Sequence, residues 1–374
     1  MSDRQNHHQE LHQTILSFIR AHADGTRDDA ELGELLERVA AFQEESIPAY
    51  ARLSRRRRAG AIPAAVPTDV FRYTRLAVHP PSEDLRVFRT SGTTHGERGE
   101  HHLRDLSLYN EGALIQGERF LFPDLPDKSP DNKRLRGVIL APSPDELPDS
   151  SLSYMLGLFA ERFLKGAEFV FRDGALDHTR LRELIEGAGD DPIALLGTSF
   201  AFVFAEEAFQ DAAHFKLAEG SRIMQTGGFK GRSRSYDKAK MHAILSARYG
   251  IPERAIIAEY GMTELSSQFY EPELRAALLG EPLPTASSPE ARVLIPPPWV
   301  RAFPVHPETL ERVPDGELGI LRIDDLANLD TIACIQTSDL ARATPEGVIL
   351  HGRAEGAVPR GCSIAIEEIL GGGE

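Results

Sequence analysis

The sequence predicts an α/β fold with a mainly parallel sheet, and three observations predict it. Between residues 137 and 258 short buried-strand runs alternate with helical patterns, as in strands joined by crossover helices. After Pro296-Pro297-Pro298 the pattern changes to short strands separated by turn signals, so a β-rich segment follows the alternating one. At 374 residues the chain has room for two domains, or for one large domain with a small appendage.

The elements follow in order. Leu11, Ile15, Phe18 and Ile19 recur at helical spacing within residues 9–24. A second helix starts at Asp28-Asp29, with Leu32, Leu35, Leu36, Val39 and Phe42 on one face, and Pro48 ends or kinks it. Residues 62–79 are punctuated by proline and β-like at Val70-Phe71-Arg72-Tyr73, and Val87-Phe88-Arg89 reads as a short strand. Strands are expected at Gly137–Ala141, Ala167–Phe171, Ile193–Leu196, Ser221–Gln225 and Ala255–Ala258. Helices are expected at Leu152–Leu164, Thr179–Ala188 and Asp237–Tyr249, and Phe200–Phe209 is apolar enough for a largely buried one. Trp299–Phe303, Leu318–Ile323, Thr331–Gln336 and Gly347–Leu350 are the β-rich strands, with turns at Pro314-Asp315-Gly316 and Pro345-Glu346-Gly347. The division expected is a helical lead-in (1–60), an α/β core (61–298), a β-rich subdomain (299–353) and a short tail (354–374).

A formal net charge of −15 argues against nucleic acid or an anionic membrane surface as a partner. The one basic block, Arg55-Arg56-Arg57-Arg58, reads as a solvated helix end complementing its own dipole. No apolar run is long enough to span a bilayer, and residues 1–10 are polar, unlike a signal peptide. Two cysteines, Cys334 and Cys362, make no disulfide framework, so the cytoplasm is the expected compartment. Cys334 lies in the apolar run Ile332-Ala333-Cys334-Ile335 and is expected in the core.

The chemistry-bearing stretch is Thr90-Ser91-Gly92-Thr93-Thr94-His95-Gly96-Glu97-Arg98-Gly99. Its glycines let the backbone fold tightly, its N–H groups and hydroxyls can cradle phosphate oxygens, and Arg98, His101, His102 and Arg104 follow. No Gly-Lys-Ser/Thr closes it, so it is not a Walker loop, and such a cluster alone is commonly a turn. Two further stretches fall at expected strand ends, where open sheets bind ligands: Gly227-Gly228-Phe229-Lys230-Gly231 and Glu259-Tyr260-Gly261-Met262-Thr263-Glu264. The side-by-side Thr263 and Glu264 can take an α-phosphate and a Mg²⁺ ion, or merely end a strand. Thr337-Ser338-Asp339 is either a surface turn or a ribose-binding aspartate, and Gly352-Arg353 either a cap or a hinge.

Taken together and in this order, these five motifs resemble those of the adenylate-forming enzymes, over residues 90–353. Within that superfamily the chain is most similar to the LuxE-type acyl-protein synthetases, relatives of phenylacetate–coenzyme A ligase. The closer match rests on the His/Arg-rich stretch His95–Arg104, on Gly227-Gly228-Phe229-Lys230, on Ser267-Gln268-Phe269-Tyr270 after Glu264, and on Arg360-Gly361-Cys362-Ser363 after Arg353.

The resemblance implies the large-domain fold of that superfamily with a β-rich C-terminal subdomain. It also implies ATP and Mg²⁺. Thr90 to Thr94 with Gly96 would hold the β- and γ-phosphates and Arg98 would help neutralise them. Thr263 would bond the α-phosphate, Glu264 would hold Mg²⁺, and Gly227 and Gly228, with Phe229, Lys230, Tyr260 and Gly261 about them, would flank the adenine. Asp339 would fix the ribose with Arg353 nearby. Cys362 would carry the acyl group as a thioester, and Arg360 can lower its thiol pKa. Residues 354–374 hold no lysine, so no full mobile C-terminal domain is expected. The lysine role such domains supply is vacant or falls to Lys230, Arg98 or Arg232. The substrate implied is a carboxylic acid, expected to be fatty, and the partner an acyl reductase or another acyl acceptor protein. Two other functions remain open at this stage: a ligase that loads coenzyme A, a carrier protein or an amine, and a non-catalytic nucleotide-binding scaffold.

Overall fold

The structure is a computed structural model, and it describes residues 3–55, 62–91, 98–125, 134–172, 174–210, 214–227, 238–288 and 291–354. Gly92, Thr93, Thr94, Gly96, Gly228, Phe229, Lys230, Arg232 and Cys362 lie outside these residues.

Three helices open the chain: α1 (Asp3–Ala21), α2 (Asp29–Ser46) and α3 (Pro48–Ser54). Asp28 caps α2 by accepting from the Ala30 and Glu31 amides, and Pro48 starts α3, so the proline does break the helical run. A two-residue strand β1 (Val66–Pro67) and the hairpin β2 (Arg86–Arg89) and β3 (Glu100–Leu103) follow, then α4 (Ser107–Phe120). The alternating region runs β4 (Leu135–Leu140), α5 (Ser151–Phe163), β5 (Leu164–Phe169), a short ribbon β6 (Phe171–Arg172) and β7 (Ala175–Leu176), α6 (His178–Glu186) and β8 (Ile193–Thr198). It continues through α7 (Ser199–Ala208), β9 (Arg222–Thr226), α8 (Lys238–Tyr249), β10 (Ile256–Tyr260), β11 (Phe269–Tyr270) and α9 (Glu273–Leu279). The last strands are β12 (Val300–Val305), β13 (Leu318–Asp325), β14 (Cys334–Ala343) and β15 (Val348–Arg353).

Two sheets carry the architecture. The first has the order β11-β10-β9-β8-β4-β5, parallel except for β11. Its central strands read Ile193-Ala194-Leu195-Leu196 and Ile256-Ile257, continuous apolar runs of the kind a sheet covered on both faces requires. The second sheet has the order β1-β14-β13-β12, with β15 also paired to β14, and is antiparallel apart from β1. The helices α1 and α2 share one apolar core with this second sheet, through Leu11, Ile15, Leu36 and Val39 against Trp299, Ile323 and Ile335. Among the described residues no helix is long and apolar enough to cross a membrane.

Some expectations are corrected. Val70 to Tyr73 is not extended; Thr68–Arg72 is a 3₁₀ turn that tucks Val70 and Phe71 inward, and the strand is Val66–Pro67. Apolar side chains at a tight turn carry the same composition as a buried strand, hence the misreading. The helix at Phe200–Phe209 is one-sided rather than largely buried: it covers Ala201, Phe202 and Ala205 and leaves Phe204 exposed. Thr337-Ser338-Asp339 is no surface turn, because it lies inside the ten-residue β14. Gly352-Arg353 ends β15 opposite Asp339, with Gly352 at φ +96.

Candidate active site

The parallel strands β8, β9 and β10 end side by side on Thr198, Thr226 and Glu259, which are neighbours in register. Thr198 caps α7 by accepting from the Ala201 amide. The Thr226 hydroxyl donates to the Glu259 carboxyl. Burial pushes Glu259 up to about 7, against the Thr226 hydrogen bond that favours its charged form. Just beyond, Gly227 sits at φ +82, a conformation that favours glycine, and its carbonyl accepts from Ser199 Oγ at 2.9 Å. Among the described residues, a side chain begun at Gly227 would meet no atom within 4 Å. At Gly261 the opposite holds: a Cβ would stand 2.5 Å from Glu259 Oε1.

Tyr260 leaves the end of β10 and reaches the second sheet. Its hydroxyl donates to Asp339 Oδ2 at 2.9 Å, and Arg353 Nε donates to Asp339 Oδ1 at 3.0 Å. Asp339 and Arg353 face each other across β14 and β15, so strand register fixes this pair. Burial, then the adjacent Asp339 charge, hold the Tyr260 hydroxyl far above its usual pKa, so it acts as a donor.

Thr263 is half-buried on the turn after Gly261, and Glu264 next to it is only 8% exposed. Burial raises the Glu264 carboxyl to about 7, while Arg353 and Arg72 draw it down. Arg353 therefore acts electrostatically on both Asp339 and Glu264. The turn is held from beneath. Asn328 Nδ2 donates to the Glu264 carbonyl at 2.9 Å, and Asp325 accepts from the Ser266 amide and the Ser267 hydroxyl.

Among the described residues no ion pair reaches Glu264 and no group of three metal-ligating side chains exists. A buried carboxylate with its charge unmatched fits a hard cation that takes its remaining oxygens from water and phosphate. Glu264 is the residue that would hold Mg²⁺.

The described arms of the glycine-rich loop are clamped to each other. The Thr90 amide donates to the Gly99 carbonyl and the Gly99 amide to Thr90 Oγ1, both at 2.9 Å. Arg98 donates through Nε to the Thr90 carbonyl, through Nη2 to the Arg89 carbonyl, and through Nη1 to Asp149 at 2.7 Å. Its guanidinium thus ties the loop's base together rather than standing free for a ligand. Ser91 is exposed at the start of the loop.

The structure thus brings Tyr260, Gly261, Glu264, Asp339 and Arg353 together, and places Gly227 at the neighbouring strand end. Thr90, Ser91 and Arg98 sit at the mouth of the β2–β3 hairpin. Sequence reasoning placed Glu259 in a strand-end stretch without giving it a role, and it missed Thr226, Asn328 and Asp325, which left no signal. Cys334 is fully buried, as expected, and burial holds its thiol well above the usual range.

No family model matches the chain. In solved structures the same fold recurs in ligases that form adenylates. A 2-hydroxyisobutyryl-CoA ligase in complex with 2-HIB-AMP and CoA aligns with a TM-score of 0.62 at 15% identity, covering 91% of this chain and 69% of that one. An open conformation of the same ligase aligns at 0.60 and 16%, covering 89% and 76%. ATP-bound MatB from Rhodopseudomonas palustris aligns at 0.50 and 16%, over 71% of this chain and 47% of the other, so the chain spans under half of that protein. The fold is that of the adenylate-forming ligases, as the motif order implies. In sequence the chain is similar to the long-chain-fatty-acid–luciferin-component ligase of Aliivibrio fischeri, at 25% identity over 287 residues, 73% of this chain and 67% of that protein. The resemblance to the LuxE type therefore holds along the chain and not in its motifs alone.

Proposed function

We propose that the chain is an ATP-dependent, AMP-forming acid ligase that activates a carboxylic acid, expected to be fatty, and passes the acyl group to a thiol. One observation carries this reading: Tyr260, Glu264, Asp339 and Arg353, far apart in sequence, converge beyond the carboxyl ends of a parallel sheet. The similarity to a ligase whose name specifies long-chain fatty acids supports the acid class.

In this reading a substrate carboxylate oxygen attacks the α-phosphorus of ATP. The bond from that phosphorus to the bridging oxygen of the β-phosphate breaks, and pyrophosphate leaves. The protein's part is to align the reactants and stabilise spreading negative charge. Asp339 would accept from the ribose hydroxyls, taking them in place of Tyr260 and Arg353, whose donors are then free for the nucleotide. Thr263 would donate to the α-phosphate, and the backbone at Gly227 with Gly228 would lie along the adenine. Ser91 to Thr94, with Gly96, would cradle the β- and γ-phosphates, the loop's base being held by Arg98. Mg²⁺ on Glu264 would supply positive charge at the phosphates. In the second step the Cys362 thiolate attacks the acyl carbon, the carbonyl–oxygen bond to AMP breaks, and a thioester forms; the thiol proton goes to solvent. The acyl group then moves to a partner such as an acyl reductase. A thiol carrier needs a reducing compartment, so we assign the chain to the cytoplasm.

Two measurements test this. Wild-type protein should exchange labelled pyrophosphate into ATP in the presence of a suitable fatty acid, and no exchange with any acid of a chain-length panel refutes the ligase. Cys362→Ser should keep exchange but lose covalent labelling by radioactive acid. A second reading, in which coenzyme A or another external acceptor takes the acyl group directly, is favoured by the coenzyme A-bound ligase of like fold. Wild-type protein that never retains label would decide for it.

A further inference from the structure

We infer that His101 is a positioning residue that fixes the base of the glycine-rich loop, at Thr90, Arg98 and Gly99, relative to the turn that carries Glu264; the inference rests on the nucleotide reading above. Beyond Gly99 the His/Arg-rich stretch has no role in that reading, yet the structure gives His101 a specific place. It lies on β3, two residues after Gly99, and pairs in register with Phe88 on β2. The loop's arms are locked at Thr90 and Gly99 and braced by Arg98 on Asp149, so hairpin and loop base form one unit. His101 is fully buried, and its Nε2 is 3.5 Å from Ser266 Oγ, two residues beyond Glu264 on the same turn.

The turn carrying Glu264 is therefore held from two sides. From the second sheet come Asn328, on the Glu264 carbonyl, and Asp325, on Ser266 and Ser267, with Trp299 Nε1 donating to Ser267 Oγ at 3.0 Å. From the hairpin comes His101. Its neighbour His102 points the other way, to Asp84 at 3.1 Å and Arg75 at 2.7 Å, and anchors the hairpin's outer side. The ring spans from β3 to the turn in one direction only, through Nε2 toward Ser266. A triphosphate gripped by the loop and a cation gripped by Glu264 must meet within a fraction of an ångström, and a misplacement of about 1 Å can cost about a hundredfold. His101 ties the two grips together.

The test is nucleotide binding by the full chain, read by calorimetry with AMP and with the non-hydrolysable α,β-methylene ATP in Mg²⁺. AMP uses the Tyr260 and Asp339 side of the site, whereas the triphosphate analogue with Mg²⁺ needs loop and Glu264 together. His101→Phe should weaken the analogue tenfold or more and raise the Mg²⁺ concentration for half-binding. AMP affinity should stay within twofold, and His101→Gln, which restores a neutral polar group, should recover most of the loss. Equal weakening of AMP and analogue, or no weakening of either, overturns the inference. Should His101→Phe fail to fold, His101→Asn, too short to span to the turn, carries the same comparison. Wild-type protein that binds neither ligand overturns the nucleotide reading and this inference with it.

Discussion

Glu264→Gln should make the unliganded protein more stable at alkaline pH, and the expected size follows from the site. Burial raises the Glu264 carboxyl from its ordinary 4.5 to about 7. This direction is unusual for a carboxyl, so the sign must be worked out. Between the two values the folded chain binds the proton and the unfolded chain does not. The carboxyl therefore favours folding at low pH, and stability falls as pH rises through about 7. At 1.36 kcal/mol for each tenfold change in proton affinity, the full penalty above that pH is about 3 kcal/mol. Glutamine keeps the shape and stays neutral, so it escapes the penalty. Urea unfolding of both chains at pH 5 and pH 8.5 measures it. The difference should be under about 1 kcal/mol at the lower pH and about 3 kcal/mol at the higher. Glu259, also raised to about 7, titrates in both proteins and cancels in the comparison. Parallel stability profiles would refute the claim that Glu264 is held as an unmatched buried charge. Stability should be gained where a functional group is removed, the trade-off expected of a carboxylate kept for a cation.

Four further outcomes follow from the same geometry. Asp339→Ala should weaken AMP binding at least tenfold, about 1.4 kcal/mol, by titration calorimetry; Tyr260→Phe, losing the hydrogen bond that joins the two sheets at Asp339, should lower unfolding stability in urea by about 1 kcal/mol. Gly261→Ala should depress pyrophosphate exchange while leaving the fold's circular dichroism intact, because its Cβ displaces the Glu259 carboxyl. His8→Ala should lower the unfolding free energy by about 2–3 kcal/mol, read in urea as a lower midpoint at constant slope. The His8 ring stands 2.7 Å from Asp330 Oδ1, and that buried aspartate also accepts from the Arg104 and Asp105 amides beside the hairpin.

The parallel sheet was legible because short apolar runs such as Val138-Ile139-Leu140 and Ile193-Ala194-Leu195-Leu196 alternate with amphipathic helices. The hairpin β2–β3 was half legible: Val87-Phe88-Arg89 reads as a strand, but its partner Glu100-His101-His102-Leu103 does not. Three polar residues in a row carry no apolar alternation, and what makes them a strand is pairing with β2 and burial against distant groups. The 3₁₀ turn at Thr68–Arg72 escaped for the converse reason, since its apolar side chains face the core without the strand geometry. At the site, Tyr260, Glu264, Asp339 and Arg353 could be named because their motifs recur in order. The supports could not. Asn328 and Asp325 hold the Glu264 turn from a loop some sixty residues away, a relation that exists only after both sheets have folded.

That division between named and hidden residues has a physical basis. Groups that touch a ligand must offer a fixed chemical type at a fixed place, so their residue types repeat and can be read. Groups that hold them need only supply a hydrogen bond from some direction, which many residues on many elements can do. The clasp at Asp339 shows both at once. Its carboxylate is of a type fixed by its task, whereas of the two donors now on it Tyr260, from the first sheet, also binds the sheets to each other, and Arg353 ties β15 to β14 within the second. A nucleotide entering that clasp must exchange these hydrogen bonds for its own. Binding at Asp339 and the joining of the two sheets are therefore linked equilibria, and ligand affinity must be lower than the contacts alone would give by whatever the released clasp was worth.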